Sequence, residues 1–307
     1  MAKEPYTMTA QSPDRDRLPR CGSLLAGLAG LAMLGISIQP ASAQMYIDPW
    51  QLFGHDDRVV VSPENRGWDA IGKLTFADGG HCSGVLVSPS VVLTAAHCVV
   101  GYTDREFYQP PTTFYAGYNK GQYAARSEVE SFWVAPGFDY EGSLMGTQDG
   151  LDYAFILLAD PIGGKVGYFE VHGLTQQELD SATHGGWLSI TQAGYSGDHS
   201  EQLTAHEGCD ITDYTRDNAV MHHCDIVQGD SGSPLFVVLD GRPTVIALVS
   251  KINLSGDEPV NIAVDSRAFT ADLRRYLDRY DPVPASTQPL PYAAVDAPVE
   301  QPAPGQG

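Results

Sequence analysis

A serine stands between glycines in segment 229–234, which has the sequence Gly-Asp-Ser-Gly-Ser-Pro and leads into the apolar run 235–238. A serine hydroxyl attacks an acyl carbon only when a base takes its proton and amide donors stabilise the oxyanion. Glycines permit a tight turn in which successive N–H groups point at one spot. Ser231 is therefore a candidate nucleophile; the alternative is an ordinary turn that precedes a strand.

Two other segments offer the partners that such a serine needs. The apolar runs 85–87 and 91–93 lead to Thr-Ala-Ala-His-Cys, which places the imidazole of His97 after a predicted buried strand. Asp152 comes shortly before the apolar run 154–158, at the start of another predicted strand. The order His97, Asp152, Ser231 is that of chymotrypsin and differs from the orders found in α/β-hydrolases and subtilisins.

The chain resembles the chymotrypsin-fold serine peptidases, in particular the bacterial branch that includes the glutamyl endopeptidases. The resemblance covers roughly residues 55 to 280, and the segments that carry it are 56–58, 82–87, 94–98, 152–154, 194–198 and 224–234. In loop 194–198 the chain departs from the family pattern, because Ser196 stands where proline is usual.

The resemblance implies a role for each residue of the site. His97 is the general base, Asp152 orients it and Ser231 is the nucleophile. The backbone N–H groups of Gly229 and Ser231 form the oxyanion hole. Ser250 and Ile252 line the substrate channel, with Ser250 close enough to touch Asp152. No cofactor or metal is needed.

Asp225 lies six residues before Ser231, where trypsins carry the carboxylate at the base of the primary pocket. An unpaired buried charge is costly, so this position predicts Arg or Lys before the scissile bond. Alternatively, Asp225 points away and pairs with backbone or an arginine, which leaves a broad or apolar preference. A glutamate pocket looks dismantled, because Val249 and Ile226 occupy the places where the glutamyl specialists have histidine and threonine.

Four of the five cysteines are expected in disulfides, which form in oxidising compartments. The resemblance implies the histidine-loop disulfide Cys82–Cys98, and Cys209–Cys224 would anchor the segment that enters the Ser231 turn. Cys21 lies in the predicted leader. A rival metal site at His222, His223 and Cys224 lacks the spacing of known zinc motifs.

Residues 1–43 are typical of an export signal. Arginines precede the apolar stretch 22–38, and Ala-Ser-Ala ends the segment at residue 43. The alternative is an uncleaved anchor, for which the stretch is short and rich in glycine. Residues 44–58 would be an N-terminal segment or short propeptide. The mature chain would then start within 44–58, or at Val59 with its amino group paired to Asp230.

The formal net charge of −20 argues against nucleic-acid and anionic membrane partners. We expect an exported monomer, secreted or periplasmic, that acts on peptides or proteins and has no stable membrane span after signal removal. Residues 281–307 are rich in proline and cannot form a packed core, so we expect a disordered tail there.

The sequence pattern between these residues predicts an all-β fold. Short apolar runs alternate with turns across 59–280, as in two six-stranded antiparallel β-barrels of the chymotrypsin type, roughly 59–165 and 166–265. An amphipathic helix would close the domain at 266–280, with Ser266 as its cap and an apolar stripe formed by Phe269, Leu273, Tyr276, Leu277 and Tyr280.

The sequence therefore predicts a secreted serine endopeptidase. The first alternative is a catalytically silent homologue that acts as a binding module, although such relatives usually lose a triad residue. The second is an acyl hydrolase of another fold, which the chain order and the missing Gly-x-Ser-x-Gly elbow argue against.

Overall fold

The structure is a computed structural model, and it describes residues 8–9, 52–100, 110–185, 189–253 and 260–281. The predicted signal peptide, apart from residues 8–9, and the predicted tail from residue 282 lie outside this part of the chain. Both remain predictions. Within the described residues, no helix combines the length and the apolar character that crossing a membrane requires.

Six strands close into a barrel in the first half of the chain. They are β3 (Ile71–Thr75), β4 (His81–Leu86), β5 (Val91–Thr94), β6 (Thr113–Ala116), β7 (Ala125–Val134) and β8 (Ala154–Leu158), and a two-residue strand β1 (Met8–Thr9) adds to β7. The strand order is β7-β6-β3-β4-β5-β8, and β8 pairs back onto β7. The predicted first barrel is therefore present.

The strands of the second half of the chain, together with the early strand β2, form a curved sheet rather than a barrel closed by strand pairing. Its strands are β2 (Val59–Val61), β9 (Glu170–Val171), β10 (Ile190–Gly194), β11 (Leu203–Cys209), β12 (Ile211–Tyr214), β13 (Ala219–His222), β14 (Pro234–Leu239), β15 (Arg242–Asn253) and β16 (Val260–Asp265). The order is β12-β13-β16-β15-β14-β10-β11-β2, with β9 parallel to β15. Among the described residues no ladder joins the two ends of this sheet.

Both expected disulfides are confirmed. Cys82 bonds Cys98, and Cys209 bonds Cys224. The second bond joins the end of β11 to the segment after β13, near opposite ends of the open sheet. This covalent link holds together the two ends that strand pairing leaves apart. By the chain-entropy estimate, loops of this size contribute about 3 kcal/mol each.

The part of the chain that the structure describes also contains five α-helices: α1 (Pro63–Arg66), α2 (Tyr140–Leu144), α3 (Gly163–Val166), α4 (Gln176–Gly185) and α5 (Ser266–Tyr280). The last has the predicted bounds and buries Phe269, Leu273 and Tyr276. Its cap is Asp265 rather than Ser266, because the Asp265 carboxylate accepts the Arg267 N–H at 2.9 Å. The Ser266 hydroxyl donates instead to the His172 carbonyl oxygen.

The core joins the two halves into one packed body. The larger apolar cluster combines Ile71 and Phe155 of the barrel with Phe236 of the second sheet and Phe269 of α5. A smaller apolar cluster is formed mainly by buried side chains of the second sheet. Side chains from both halves can therefore meet at a fixed distance in the cleft between them.

Candidate active site

Strand pairing brings His97 and Asp152 together. His97 lies in a 3₁₀ turn, Ala96–Cys98, that follows β5, and Asp152 ends the turn Asp149–Leu151 that precedes β8. Strands β5 and β8 are antiparallel neighbours, with Thr94 opposite Ala154. The residues just beyond this pair are therefore adjacent, although they lie 55 positions apart in sequence.

Two hydrogen bonds hold the His97–Asp152 pair. The His97 backbone N–H donates to Asp152 Oδ1 at 2.9 Å, and His97 Nδ1 lies 2.8 Å from Oδ2. An ionised carboxylate can only accept, so Nδ1 carries the proton and the lone pair of Nε2 is free. Burial opposes protonation of the imidazole, but the Asp152 carboxylate outweighs it, so the pKa of His97 is raised.

Ser250 on β15 supports the same carboxylate. Its hydroxyl donates to Asp152 Oδ2 at 2.5 Å. The Asp152 side chain is 1 % exposed. Burial raises its pKa, yet the contacts from His97 and Ser250 have the larger combined effect and hold that pKa below the usual range. Asp152 is therefore held as an ionised acceptor.

Ser231 lies in the turn between β13 and β14, and backbone hydrogen bonds from the barrel and from the second sheet fix this turn. Its carbonyl oxygen accepts the Ser83 N–H at 2.9 Å, and the next residue, Gly232, donates to the Val249 carbonyl oxygen at 2.8 Å. Within the described residues, the N–H groups of Gly229 and Ser231 make no backbone hydrogen bond. No hydrogen bond joins Ser231 Oγ to His97 in this part of the chain.

The three residues face one cavity of about 330 Å³ between the two halves. The residues that line it are His97, Tyr140, Ser143, Asp152, Ile226, Val227, Gln228, Ser231, Val249, Ser250, Lys251 and Ile252. Both channel residues predicted from the sequence, Ser250 and Ile252, are among them. Four aliphatic side chains give the cavity a largely apolar wall.

Lys251 contributes an ammonium group that the sequence analysis missed. It follows Ser250 on β15, and its Nζ donates to the Asp149 carboxylate and to the Ser143 carbonyl oxygen. Asp149 opens the turn that ends at Asp152, so this ion pair crosses from one half of the molecule to the other beside the site. The positive charge opposes, in small part, the increase in the pKa of His97 that Asp152 causes.

Asp225 is fully buried but does not line the cavity. Its Oδ1 accepts the Phe53 N–H at 3.0 Å, and its Oδ2 accepts the Asp57 N–H at 2.9 Å. His206 Nδ1 lies 3.3 Å from Oδ2. This carboxylate therefore docks the N-terminal segment onto the second sheet, the arrangement in which Asp225 points away from the substrate.

Two groups among the described residues combine possible metal ligands, and the first includes His97. The first contains Cys82 and Cys98, whose sulfurs are joined to each other. In the second, Asp57 and His206 surround Asp225, whose oxygens already accept two N–H groups. The rival site at His222, His223 and Cys224 cannot use a thiolate, because Cys224 is in a disulfide.

Comparisons with known proteins agree with the fold. The family model described as Trypsin matches residues 60–271. Glutamyl endopeptidase of Bacillus licheniformis is 28 % identical over 198 residues, 64 % of this chain and 57 % of that protein. Trypsin of Saccharopolyspora erythraea is 27 % identical over 177 residues, 53 % of this chain and 74 % of that protein.

A solved structure titled as Glu endopeptidase in complex with MPD superposes with a TM-score of 0.59. It covers 73 % of this chain and 98 % of its own, and at 22 % identity it shows a shared chymotrypsin-like fold. The chain spans only 57 % of the length of the Bacillus licheniformis relative. The match of the family model over most of the described residues shows that this chain belongs to the trypsin family of serine peptidases.

Proposed function

We propose that this protein is an exported serine endopeptidase that hydrolyses peptide bonds through His97, Asp152 and Ser231. The observation that carries the proposal is the hydrogen-bonded His97–Asp152 pair, which shares one cavity with Ser231. The described residues show no hydrogen bond between His97 and Ser231 Oγ, which is compatible with this role because catalytic hydrogen bonds often tighten only when substrate binds.

The proposed mechanism needs only groups of the protein and water. Ser231 Oγ attacks the carbonyl carbon while His97 Nε2 takes its proton. The tetrahedral intermediate expels the amine, which receives that proton from His97, and leaves an acyl-enzyme. Water, activated by the same imidazole, then releases the acid product. Asp152 holds the imidazole in the required tautomer and stabilises its protonated form.

The oxyanion would be held by the Gly229 and Ser231 N–H groups. Both N–H groups are free of backbone partners in the described part of the chain, so binding the oxyanion breaks no existing backbone bond. The positive φ of Gly229, +102°, is a conformation that glycine adopts at low cost. Donors placed before the reaction need no reorganisation when charge develops.

The cavity supports an apolar residue before the scissile bond. Ile226, Val227, Val249 and Ile252 line it, and its cation, Lys251, is already paired with Asp149. The expectation of Arg or Lys rested on Asp225, whose carboxylate binds the N-terminal segment instead. A glutamate side chain would have to compete with Asp149 for Lys251.

Hydrolysis of matched peptides with Leu, Arg or Glu before the scissile bond tests this preference. We expect Leu to give a kcat/KM at least about 10-fold above the other two, because burial of an aliphatic side chain contributes about 1.5–3 kcal/mol. The Asp225→Ser variant should lose activity equally on all three peptides. A wild-type preference for Arg that this substitution removes would return Asp225 to the pocket.

The pH dependence of kcat/KM should report the charge of Lys251. His97 acts as a base only when neutral, and the nearby ammonium offsets part of the increase in its pKa that Asp152 causes. The Lys251→Met variant should therefore have a higher pKa of His97, and the acid limb of its pH profile should move to higher pH.

Lys165→Met is the matched control, because Lys165 also donates to a backbone carbonyl oxygen, that of Ala124, away from the site. Its profile should coincide with that of the wild type. An acid limb that stays in place or moves to lower pH in Lys251→Met would contradict the electrostatic role of Lys251.

A fluorophosphonate label separates an active peptidase from a silent homologue, because only an activated serine reacts quickly. We expect rapid labelling of the wild type at Ser231 and none of Ser231→Ala. Loss of labelling in His97→Ala would link that reactivity to the imidazole. A wild-type protein that stays unlabelled but still binds peptides would favour the binding module.

The proposal of export rests on chemistry rather than on a described leader. Two disulfides suit an oxidising compartment, whether periplasmic or extracellular. The proposed partners are peptide or protein substrates, and the proposed state is monomeric. The negative charge of the chain disfavours nucleic acid as a partner.

A further inference from the structure

Asp230, the residue before Ser231, has a buried carboxylate. It lies between Gly229 and Ser231 in the turn that carries the proposed oxyanion donors, which we call the oxyanion turn. Its side chain accepts the Val227 N–H at 2.9 Å, while its own N–H donates to the Val227 carbonyl oxygen at 3.1 Å. The Asp230 carbonyl oxygen also accepts the Ser233 N–H. The position of this carboxylate therefore fixes the backbone that carries the Gly229 and Ser231 N–H groups.

Ser196 is the main hydroxyl donor to that carboxylate. Its Oγ lies 3.0 and 2.9 Å from the two Asp230 oxygens. The Thr204 hydroxyl lies 2.7 Å from Ser196 Oγ. With the one proton of Ser196 directed to Asp230, the Thr204 hydroxyl proton is shared between Ser196 Oγ and the Gly194 carbonyl oxygen, which lies 3.2 Å away. Gln192 Nε2 is a more distant donor, at 3.4 Å from Asp230 Oδ1.

Burial raises the pKa of Asp230 to about 6, although the Val227 N–H and the Ser196 hydroxyl oppose this increase. The Arg58 guanidinium also favours the ionised form through its charge. Arg58 is 2 % exposed and bonds Asp56 and Asp198 on both sides. Hydroxyl donors and a buried guanidinium thus stabilise the Asp230 carboxylate.

In the structure, the segment around Val59 is part of a strand and does not provide an amino terminus for Asp230. Val59 belongs to β2, where it pairs with Ala205 of β11. Val60 pairs with Thr204, so β2 braces the same strand that supports Ser196. With the Arg58–Val59 bond intact, the described partners of Asp230 are the Ser196 hydroxyl, the Gln192 amide and the Val227 N–H.

We propose that Ser196 is a positioning residue for the oxyanion turn: with Thr204 behind it, its hydroxyl holds Asp230, so the turn assembles without a new amino terminus at Val59. The proline that is usual at position 196 in the resembled family has no hydroxyl and could not make this contact. This inference rests on the proposed peptidase function.

The test compares full-length Ser196→Ala, Ser196→Thr and Ser88→Ala with the wild type. Ser88 is a matched control, because it is also buried and donates to an aspartate, Asp281, but lies away from the cavity. Ser196→Ala should lower kcat about 10- to 100-fold with little change in KM, as for loss of a hydrogen bond to a charged group. Ser196→Thr and Ser88→Ala should keep the wild-type kcat.

Two further readouts separate positioning from loss of stability. Without its donor the Asp230 carboxyl protonates more easily, so the kcat of Ser196→Ala relative to wild type should be lower at pH 6 than at pH 8. Should Ser196→Ala not fold, Thr204→Val is expected to lower kcat with the same pH trend. In addition, wild-type enzyme labelled by fluorophosphonate should retain the Arg58–Val59 bond.

Several results would overturn the inference. A folded Ser196→Ala with wild-type kcat at both pH values is one, and a wild-type kcat in Thr204→Val when Ser196→Ala does not fold is another. Labelled enzyme that begins only at Val59 is a third. Failure of the proposed function is distinct, because then the wild-type protein itself takes no label and cleaves no peptide.

Discussion

Ser231→Ala, His97→Ala and Asp152→Asn should each lower kcat/KM for peptide cleavage by roughly 10³- to 10⁶-fold. The first removes the nucleophile and the second removes the base. The third leaves the His97 imidazole without an ionised acceptor at Nδ1, which favours the tautomer that cannot take the Ser231 proton. Steady-state kinetics on one peptide, with active-site titration, measure all three effects.

The His172–Glu178 pair provides a control for the loss of a histidine. His172 Nε2 lies 3.3 Å from the Glu178 carboxylate, and neither residue lines the cavity. His172→Ala should therefore keep wild-type kinetics. Full activity in Asp152→Asn would contradict the assignment of Asp152 as the carboxylate that orients His97. Asp149, at the start of the same turn, would then be the next candidate.

The double variant Ser231→Ala/His97→Ala should be hardly slower than the slower single variant, because the two residues act as one unit. Independent effects that multiply would instead show that the imidazole assists cleavage without Ser231. Thermal unfolding of each variant guards against misfolding as the cause. The Asp152 variants need this check most, since the carboxylate also accepts a backbone N–H of the histidine turn.

Local sequence patterns predicted the barrel strands and the closing helix, whereas the disulfide pairing came from the family resemblance together with the cysteine spacing. Each strand or helix could be predicted from its own residues, because alternation and flanking turns are properties of neighbouring residues. Strands β2 and β9, however, are short strands that pattern alone does not mark. Local patterns also do not predict that the second sheet stays open, because this depends on which distant segments pair with each other.

Side-chain direction at the site was harder to predict than position in the chain. The spacing of Asp225 from Ser231 places it next to the cavity, but its orientation is set by N–H groups more than 160 residues away in sequence. Lys251, and the contact that Ser196 makes, were missed for the same reason. Their partners, Asp149 and Asp230, are adjacent only after the fold has formed.

Gly229→Ala should lower kcat about 10²- to 10³-fold, the cost of losing one oxyanion donor. Gly229 has a φ of +102°, and a Cβ there would lie 2.7 Å from the Tyr195 carbonyl oxygen and 2.8 Å from His81 Nε2. Side-chain rotation cannot relieve a backbone contact, so the peptide that carries the Gly229 N–H must move. KM should change less than kcat, because the oxyanion forms only in the transition state.

Gly241→Ala separates this clash from the cost of a positive φ. Gly241 has a φ of +75° in the turn between β14 and β15, and a Cβ there would have no neighbour within 4 Å. We expect this control to lose about 1 kcal/mol of unfolding free energy and to keep its kcat. If Gly229→Ala matched the control in kcat while losing similar stability, the Gly229 N–H would not be an oxyanion donor. The oxyanion hole would then have to be sought elsewhere in the loop that Asp230 organises.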